Sequence, residues 1–382
     1  MNISSHTLFS LLRAALVNEA VGALPSDIDW QEVIDLSFEQ GVAAIAVDGF
    51  GSTGSPTENE GLGALDSPEL EDLKYEWFGS VFQAEEDYKK YVEDIASLAK
   101  AYSEAGIEMM VLKGYGLSLN YPVPAHRPVG DVDIYLNDDD NDDDDPSTNS
   151  GQARLPVWWR GDEVIRKSGI AIDYSHHHHS VFYWGEFMVE NHYDFINVHG
   201  RKANAQIEKI YKELGQDDSH FVEVEGERVY LPSPNLHTLF LMTHLVSHFV
   251  GANLNLRQVL DWGLFVVKHG KDVDWEWLDG VLEEFGMKEF YNIINAICVE
   301  DLGFDASLFH EVRFNPQTKE KVFSDILCPA FEADAPSSFL PRDIYKYKRW
   351  NGNGWKYELC YKESRWESFW TLLKSHLMKP MI

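Results

Sequence analysis

Apolar residues recur at helical intervals through the first hundred positions, break into short runs, and return to helical intervals after residue 232. Leu8, Leu11, Leu12, Ala15 and Leu16 mark one helix face, and Trp30, Val33, Ile34 and Phe38 mark a second that Ser26-Asp27 introduces. Residues 51–67 are rich in Gly, Ser, Thr, Pro and Glu and predict a loop. Pro68 opens a long helix to about Ala105, with Trp77, Val81, Tyr88, Tyr91, Ile95 and Leu98 on its buried side. Past Gly106 the period shortens. Residues 107–112 read as a strand, 114–121 as a turn and helix, and 131–136 as a second strand. A helix over 155–167 and strands at 170–174, 179–184 and 187–195 follow. Helical spacing then resumes at 234–250, 256–268, 274–285 and 287–301, with shorter pieces to the end. The pattern predicts a mixed-sheet α/β (α+β) domain over 106–231, between an N-terminal helical segment, 1–105, and a C-terminal helical domain, 232–382.

The 382 residues, 44% of them hydrophobic, suffice for two or three domains with proper cores. No apolar run reaches the roughly 18–20 residues of a membrane span. Met1 to Leu12 lacks the basic start and long apolar stretch of a secretory leader. Cys298, Cys328 and Cys360 are odd in number and far apart, which argues against a disulfide framework. A cytoplasmic protein without a transmembrane segment is expected.

Within the central domain, Gly130-Asp131-Val132-Asp133-Ile134 sets two carboxylates on one face of one strand. Unpaired carboxylates are costly to desolvate, and divalent cations remove that cost. Paired carboxylates acting with substrate phosphates are a common Mg²⁺ site, and two such ions drive in-line displacement at phosphorus. Upstream, Lys113 offers a point charge for phosphate oxygens, and the turn Gly114-Tyr115-Gly116 offers backbone N–H groups. Arg127 is placed to hold phosphates or to pair with Asp131.

Leu112-Lys113-Gly114, Tyr121-Pro122, Arg127 and Gly130-Asp131-Val132-Asp133 together resemble the nucleotidyltransferase superfamily, the polymerase-β-like palm. The nearer resemblance is to its poorly characterised bacterial branch, and it covers residues 106 to about 200 well. It implies a palm capped by the first helical segment, two Mg²⁺ ions, a nucleoside triphosphate as donor, and a third carboxylate on a neighbouring strand. The branch motif aligns Glu190 and His192 of Phe187-Met188-Val189-Glu190-Asn191-His192-Tyr193-Asp194 with its carboxylate and histidine. Asp194 shares their strand face, so alternation alone leaves Glu190 and Asp194 both open. On this reading Asp131, Asp133 and Glu190 are catalytic and metal-binding, while Lys113, Gly114, Tyr115, Gly116, Arg127 and His192 contact the nucleotide. Arg257 and Asp261, four apart, predict an ion pair.

Four consecutive histidines, His176 to His179, stand ahead of this segment. On a regular strand they alternate faces, which makes a poor zinc cage. His237, His244 and His248 form one helical stripe, read as a polar face or a satisfied core face.

The net charge of −31 opposes a broad nucleic-acid footprint. The acceptor expected is therefore a small molecule, sugar or protein hydroxyl. Seven of those charges lie in the run Asp138 to Asp145, which reads as a solvated insertion. Residues 342–382 are basic, with Trp350, Trp355, Trp366 and Trp370 interleaved. That stretch suits a phosphate-bearing partner, a membrane surface or the chain's own acidic body. Two other readings stay open: a catalytically silent nucleotide-binding or regulatory module, and a toxin–antitoxin-type interaction protein.

Overall fold

Gly106 takes a positive φ of 66°, ends the long helix, and starts the sheet where the hydrophobic period changes. In the computed structural model, residues 2–17, 19, 24–25, 27–51, 70–138, 155–215, 220–310, 312–331, 339–367 and 369–370 are described. They form a mixed α/β protein. The strands are β1 (Ile107–Val111), β2 (Val132–Asp138), β3 (His179–Trp184), β4 (Phe187–His192), β5 (Phe221–Val224) and β6 (Glu227–Tyr230). They assemble in the order β3-β4-β2-β1-β6-β5. The β1/β2, β3/β4 and β5/β6 pairs are antiparallel, while β2/β4 and β1/β6 are parallel.

The chain divides into two compact units. One comprises Met1–Glu86, Ser118–Pro128 and Leu241–Lys362 and is helical. Leu8, Leu11 and Leu12 of the first helix (Ile3–Val17) are fully buried. The helix Ala43–Gly51 comes so near that a Cβ on Gly49 would lie 2.3 Å from the Leu11 carbonyl oxygen. The cap of the helix Trp30–Glu39 is Asp29, which accepts from the Glu32 N–H, rather than Ser26-Asp27. A capping box joins Asn255 to Gln258 at the start of Leu256–His269, stabilising that end by about 1 kcal/mol. The C-terminal stretch packs in part on its own unit. Lys321 lies 3.9 Å over the Trp355 ring, and the buried Lys356 ammonium meets Asp325 at 2.5 Å. Trp366 and Trp370 are exposed.

The other unit, Asp87–Leu117, Val129–Phe240 and Glu363–Ile382, holds the whole sheet. Its helix Val157–Lys167 covers one sheet face. A Cβ on Gly161 would lie 2.1 Å from Leu136, and Asp162 accepts hydrogen bonds from Ser180 and Asn191 at 2.9 and 2.8 Å. Asp133, Glu190 and His192 alternate with these residues and therefore point to the opposite face.

Several expectations change. Residues 170–174 form no strand, only the isolated bridge Asp173–Val181, and β4 stops at His192. The helix Asn204–Leu214 and the β5/β6 hairpin were not expected. The long helix runs Glu71–Ser103. Asp138 closes β2 and pairs with Arg160, whereas the rest of the aspartate run and residues 52–67 of the predicted 51–67 loop lie outside the described residues. No disulfide joins the three cysteines. No described helix is long and apolar enough to cross a membrane.

Candidate active site

Parallel pairing of β2 with β4 puts Asp133 directly opposite Glu190 and Tyr135 opposite His192. Antiparallel pairing of β3 with β4 then puts His179 opposite His192. Three adjacent strands thus deliver carboxylates and imidazoles to one patch. Asp133, Glu190 and His192 each have a donor atom within 4.8 Å of the others.

Lys113 reaches this patch because the β1/β2 ladder runs one residue past β1, with the Leu112 N–H donating to the Asp133 carbonyl at 2.9 Å. Its ammonium lies 3.3 Å from Asp131 Oδ2 and 3.1 Å from Asp133 Oδ2. Burial lowers the Lys113 pKa, but the charges of Asp133 and Asp131 outweigh it and leave the pKa raised. The Asp133 side chain is 3% exposed and that of Asp131 35%, so the pair has an inner and an outer member. His192 Nε2 lies 3.2 Å from Asp133 Oδ1 and 3.4 Å from Glu190 Oε2, and its Nδ1 donates to the Asp194 carbonyl at 3.2 Å. Burial pulls the imidazole pKa down, yet hydrogen bonds to Asp133 and Glu190 raise it to about 9. His178 and His179 are held at about 3, first by burial and then by the neighbouring His192. Lys113 and His192 thus face the carboxylates of Asp131, Asp133 and Glu190.

The remaining candidates divide. Asp194 stands apart from this group, its carboxylate 3.7 Å from Lys212, which also donates to the Tyr193 carbonyl at 2.6 Å. Gly114 adopts φ 71°, and a Cβ there would lie 2.4 Å from the Tyr91 hydroxyl, which itself donates to the Asp131 carbonyl at 3.3 Å. A Cβ on Gly116 would lie 2.8 Å from Leu231. Both glycines thus have a packing reason, and Tyr115, stacked on Tyr88 with ring centroids 6.4 Å apart, is buried beside them. Arg127 belongs to the helical unit. Its guanidinium donates to both oxygens of Asp261, at 2.7 and 2.9 Å, and the Tyr121 hydroxyl donates to the same carboxylate at 2.8 Å. Sequence reasoning undervalued His178 and His179, because only His179 is on a strand; His176 to His178 lie in a bend. It also missed Tyr91 as the support beneath Asp131.

Beyond β4, Glu208 accepts from the Phe195 and Ile196 N–H groups at 3.2 and 3.1 Å. Burial pushes its pKa from 4.5 to about 7. The folded state thus holds this proton more tightly than the unfolded chain. Its stabilising effect is full below about pH 4.5 and is lost as pH rises through about 7. Wild type minus Glu208→Gln stability, from urea unfolding across that window, should fall by about 3 kcal/mol. A flat difference would remove Glu208 as the cause.

A protein family described as an uncharacterised nucleotidyltransferase matches residues 26–143 and 160–303. No curated protein and no solved structure matches the chain.

Proposed function

The chain belongs to this uncharacterised nucleotidyltransferase family, and on that premise we propose a metal-dependent transfer of a nucleoside monophosphate from a nucleoside triphosphate to a small-molecule, sugar or protein hydroxyl. The observation that supports it is the register that sets Glu190 opposite Asp133, with Asp131 and Lys113 alongside. The donor set suits Mg²⁺: carboxylate oxygens predominate and one member is half-exposed, as a substrate-bridged ion needs. Asp131, Asp133 and Glu190 would hold it. Bound there, Mg²⁺ offsets phosphate charge and favours ionisation of the acceptor hydroxyl.

In the transfer itself the acceptor oxygen forms a bond to the α-phosphorus, the α–β bridging bond breaks, and pyrophosphate leaves. Glu190 takes the hydroxyl proton, a role worth about 10²–10⁴ in rate. Lys113 already spans two anionic groups and exchanges carboxylate for phosphate oxygens as the triphosphate arrives. His192, anchored on the Asp194 carbonyl, orients Glu190 and Asp133. Gly114, Tyr115 and Gly116 bring the backbone of the turn to the phosphates.

A second reading has its own support. Lys113 and His192 already neutralise the carboxylates, as suits a palm that binds a nucleotide without turning it over. Incubation of the purified protein with each α-phosphate-labelled triphosphate, Mg²⁺ and cell extract distinguishes the two. Transfer of label with pyrophosphate release is expected. Mg²⁺-dependent nucleotide binding with no release would favour the silent module.

A further inference from the structure

His178, His179 and His192 present ring nitrogens to one space, all within 4.8 Å of one another. The backbone fixes this convergence. His179 and His192 are direct partners across β3 and β4. The His178 carbonyl accepts from the Tyr193 and Asp194 N–H groups at 3.1 and 3.3 Å, holding the bend against the end of β4. The ring centroids of His178 and His192 lie 5.5 Å apart, and those of His179 and His192 5.0 Å.

His178 Nδ1 and both ring nitrogens of His179 are buried with no hydrogen-bond partner, and His179 as a whole is 5% exposed. A buried polar nitrogen left without a partner costs about 1–3 kcal/mol. Three such nitrogens in two adjacent residues need a reason, and a shared metal ion would answer one on each residue. Glu190 Oε2, 3.7 Å from His179 Nδ1, is too far for a hydrogen bond to that ring. The fourth position is then open to water, as in three-histidine zinc sites.

We infer that His178, His179 and His192 form a binding site for one divalent transition-metal ion of the Zn²⁺ class, separate in donor type from the carboxylates of Asp131 and Asp133. Imidazole nitrogens select Zn²⁺, Co²⁺ or Ni²⁺ over Mg²⁺, and three histidines with one further ligand is a known tetrahedral set. A Zn–N bond of about 2.0–2.1 Å draws the nitrogens closer together, by rotation of the rings. The site shares His192 with the Asp133–Glu190 group, so an ion held there would displace a proton from His192, whose two ring nitrogens now face Asp133, Glu190 and the Asp194 carbonyl. Binding of such an ion would not require nucleotidyl transfer.

Titration of the full-length protein with Co²⁺ in excess Mg²⁺ tests it. Visible bands of nitrogen-ligated Co²⁺ should saturate at one equivalent and vanish when Zn²⁺ is added. His178→Asn with His179→Asn should weaken binding by more than about 100-fold, the upper cost of losing even a supporting residue. His176→Ala with His177→Ala should leave it unchanged. A measurement on the wild type covers the case of variants that fail to fold: Zn²⁺ should shift the ring NMR resonances of His178, His179 and His192 far more than those of His176 and His177. No saturable spectrum, or loss and shifts that follow His176 and His177, would overturn the site and leave a tag-like surface run.

Discussion

Asp133→Asn should reduce nucleotidyl transfer by about 10³-fold or more, since a metal's charge stabilisation is worth several kcal/mol and each 1.36 kcal/mol is tenfold. Asp131→Asn, on the half-exposed member of the pair, should cost less. The same substitutions should also lower the stability of the nucleotide-free protein. Lys113 lies half-buried between two carboxylates and His192 is paired with Asp133. Removing Asp133 leaves each short of a partner, at roughly 1–3 kcal/mol. In Asp131→Asn with Asp133→Asn, Lys113 loses both partners and the loss should grow, whereas adding Lys113→Met should restore part of it. A double-mutant cycle read by thermal unfolding isolates that coupling. An Asp133→Asn protein that keeps Mg²⁺-dependent transfer would remove this residue from the site. One more stable than wild type would mean that repulsion between the aspartates, and not the pairing with Lys113, governs the apo protein.

That stability effect reverses what the sequence suggests. Two aspartates on one strand face read as a mutual repulsion awaiting a metal, because no linear pattern shows where Lys113 points. Its position depends on the ladder bond from Leu112 to Asp133, which forms only once β1 and β2 pair. The strands β1 to β4 were legible from alternation and apolar runs, and so was part of the register. The two-residue link Gly185-Glu186 puts Trp184 opposite Phe187, and counting back from it puts Val181 opposite Glu190 and His179 opposite His192. Parallel pairing of β2 with β4 was not legible, since it joins strands separated by a helix and by a hairpin partner. Arg127 and Asp261 are 134 positions apart and meet through tertiary packing alone. The β5/β6 hairpin escaped notice because it turns on Glu225, a residue with no turn signature that adopts φ 50° beside Gly226 at φ 89°. The four histidines mislead for a related reason. Strict alternation holds only on a strand, and three of them lie in the bend before one.

Glu190→Gln should leave Mg²⁺-nucleotide binding largely intact and reduce transfer by about 10²–10⁴, the worth of a positioned base. Asp194→Asn should cost far less. The sequence placed both carboxylates on one face of one strand. In the structure β4 ends at His192, and Asp194 lies past that end with its carboxylate beside Lys212. Glu190 instead sits at the centre of the strand, opposite Asp133 and 3.4 Å from His192 Nε2. Gln keeps the shape and a hydrogen-bonding oxygen but accepts no proton. The lesion should therefore appear in kcat, with KM for the triphosphate nearly unchanged. Asp194→Asn disturbs the pairing with Lys212 on the far side of the His192 anchor, so its effect should appear in stability first. If Asp194→Asn removes transfer and Glu190→Gln does not, the proton acceptor lies beyond the strand and Glu190 is not the base. If neither changes transfer while Asp133→Asn abolishes it, the acceptor hydroxyl loses its proton without help from β4.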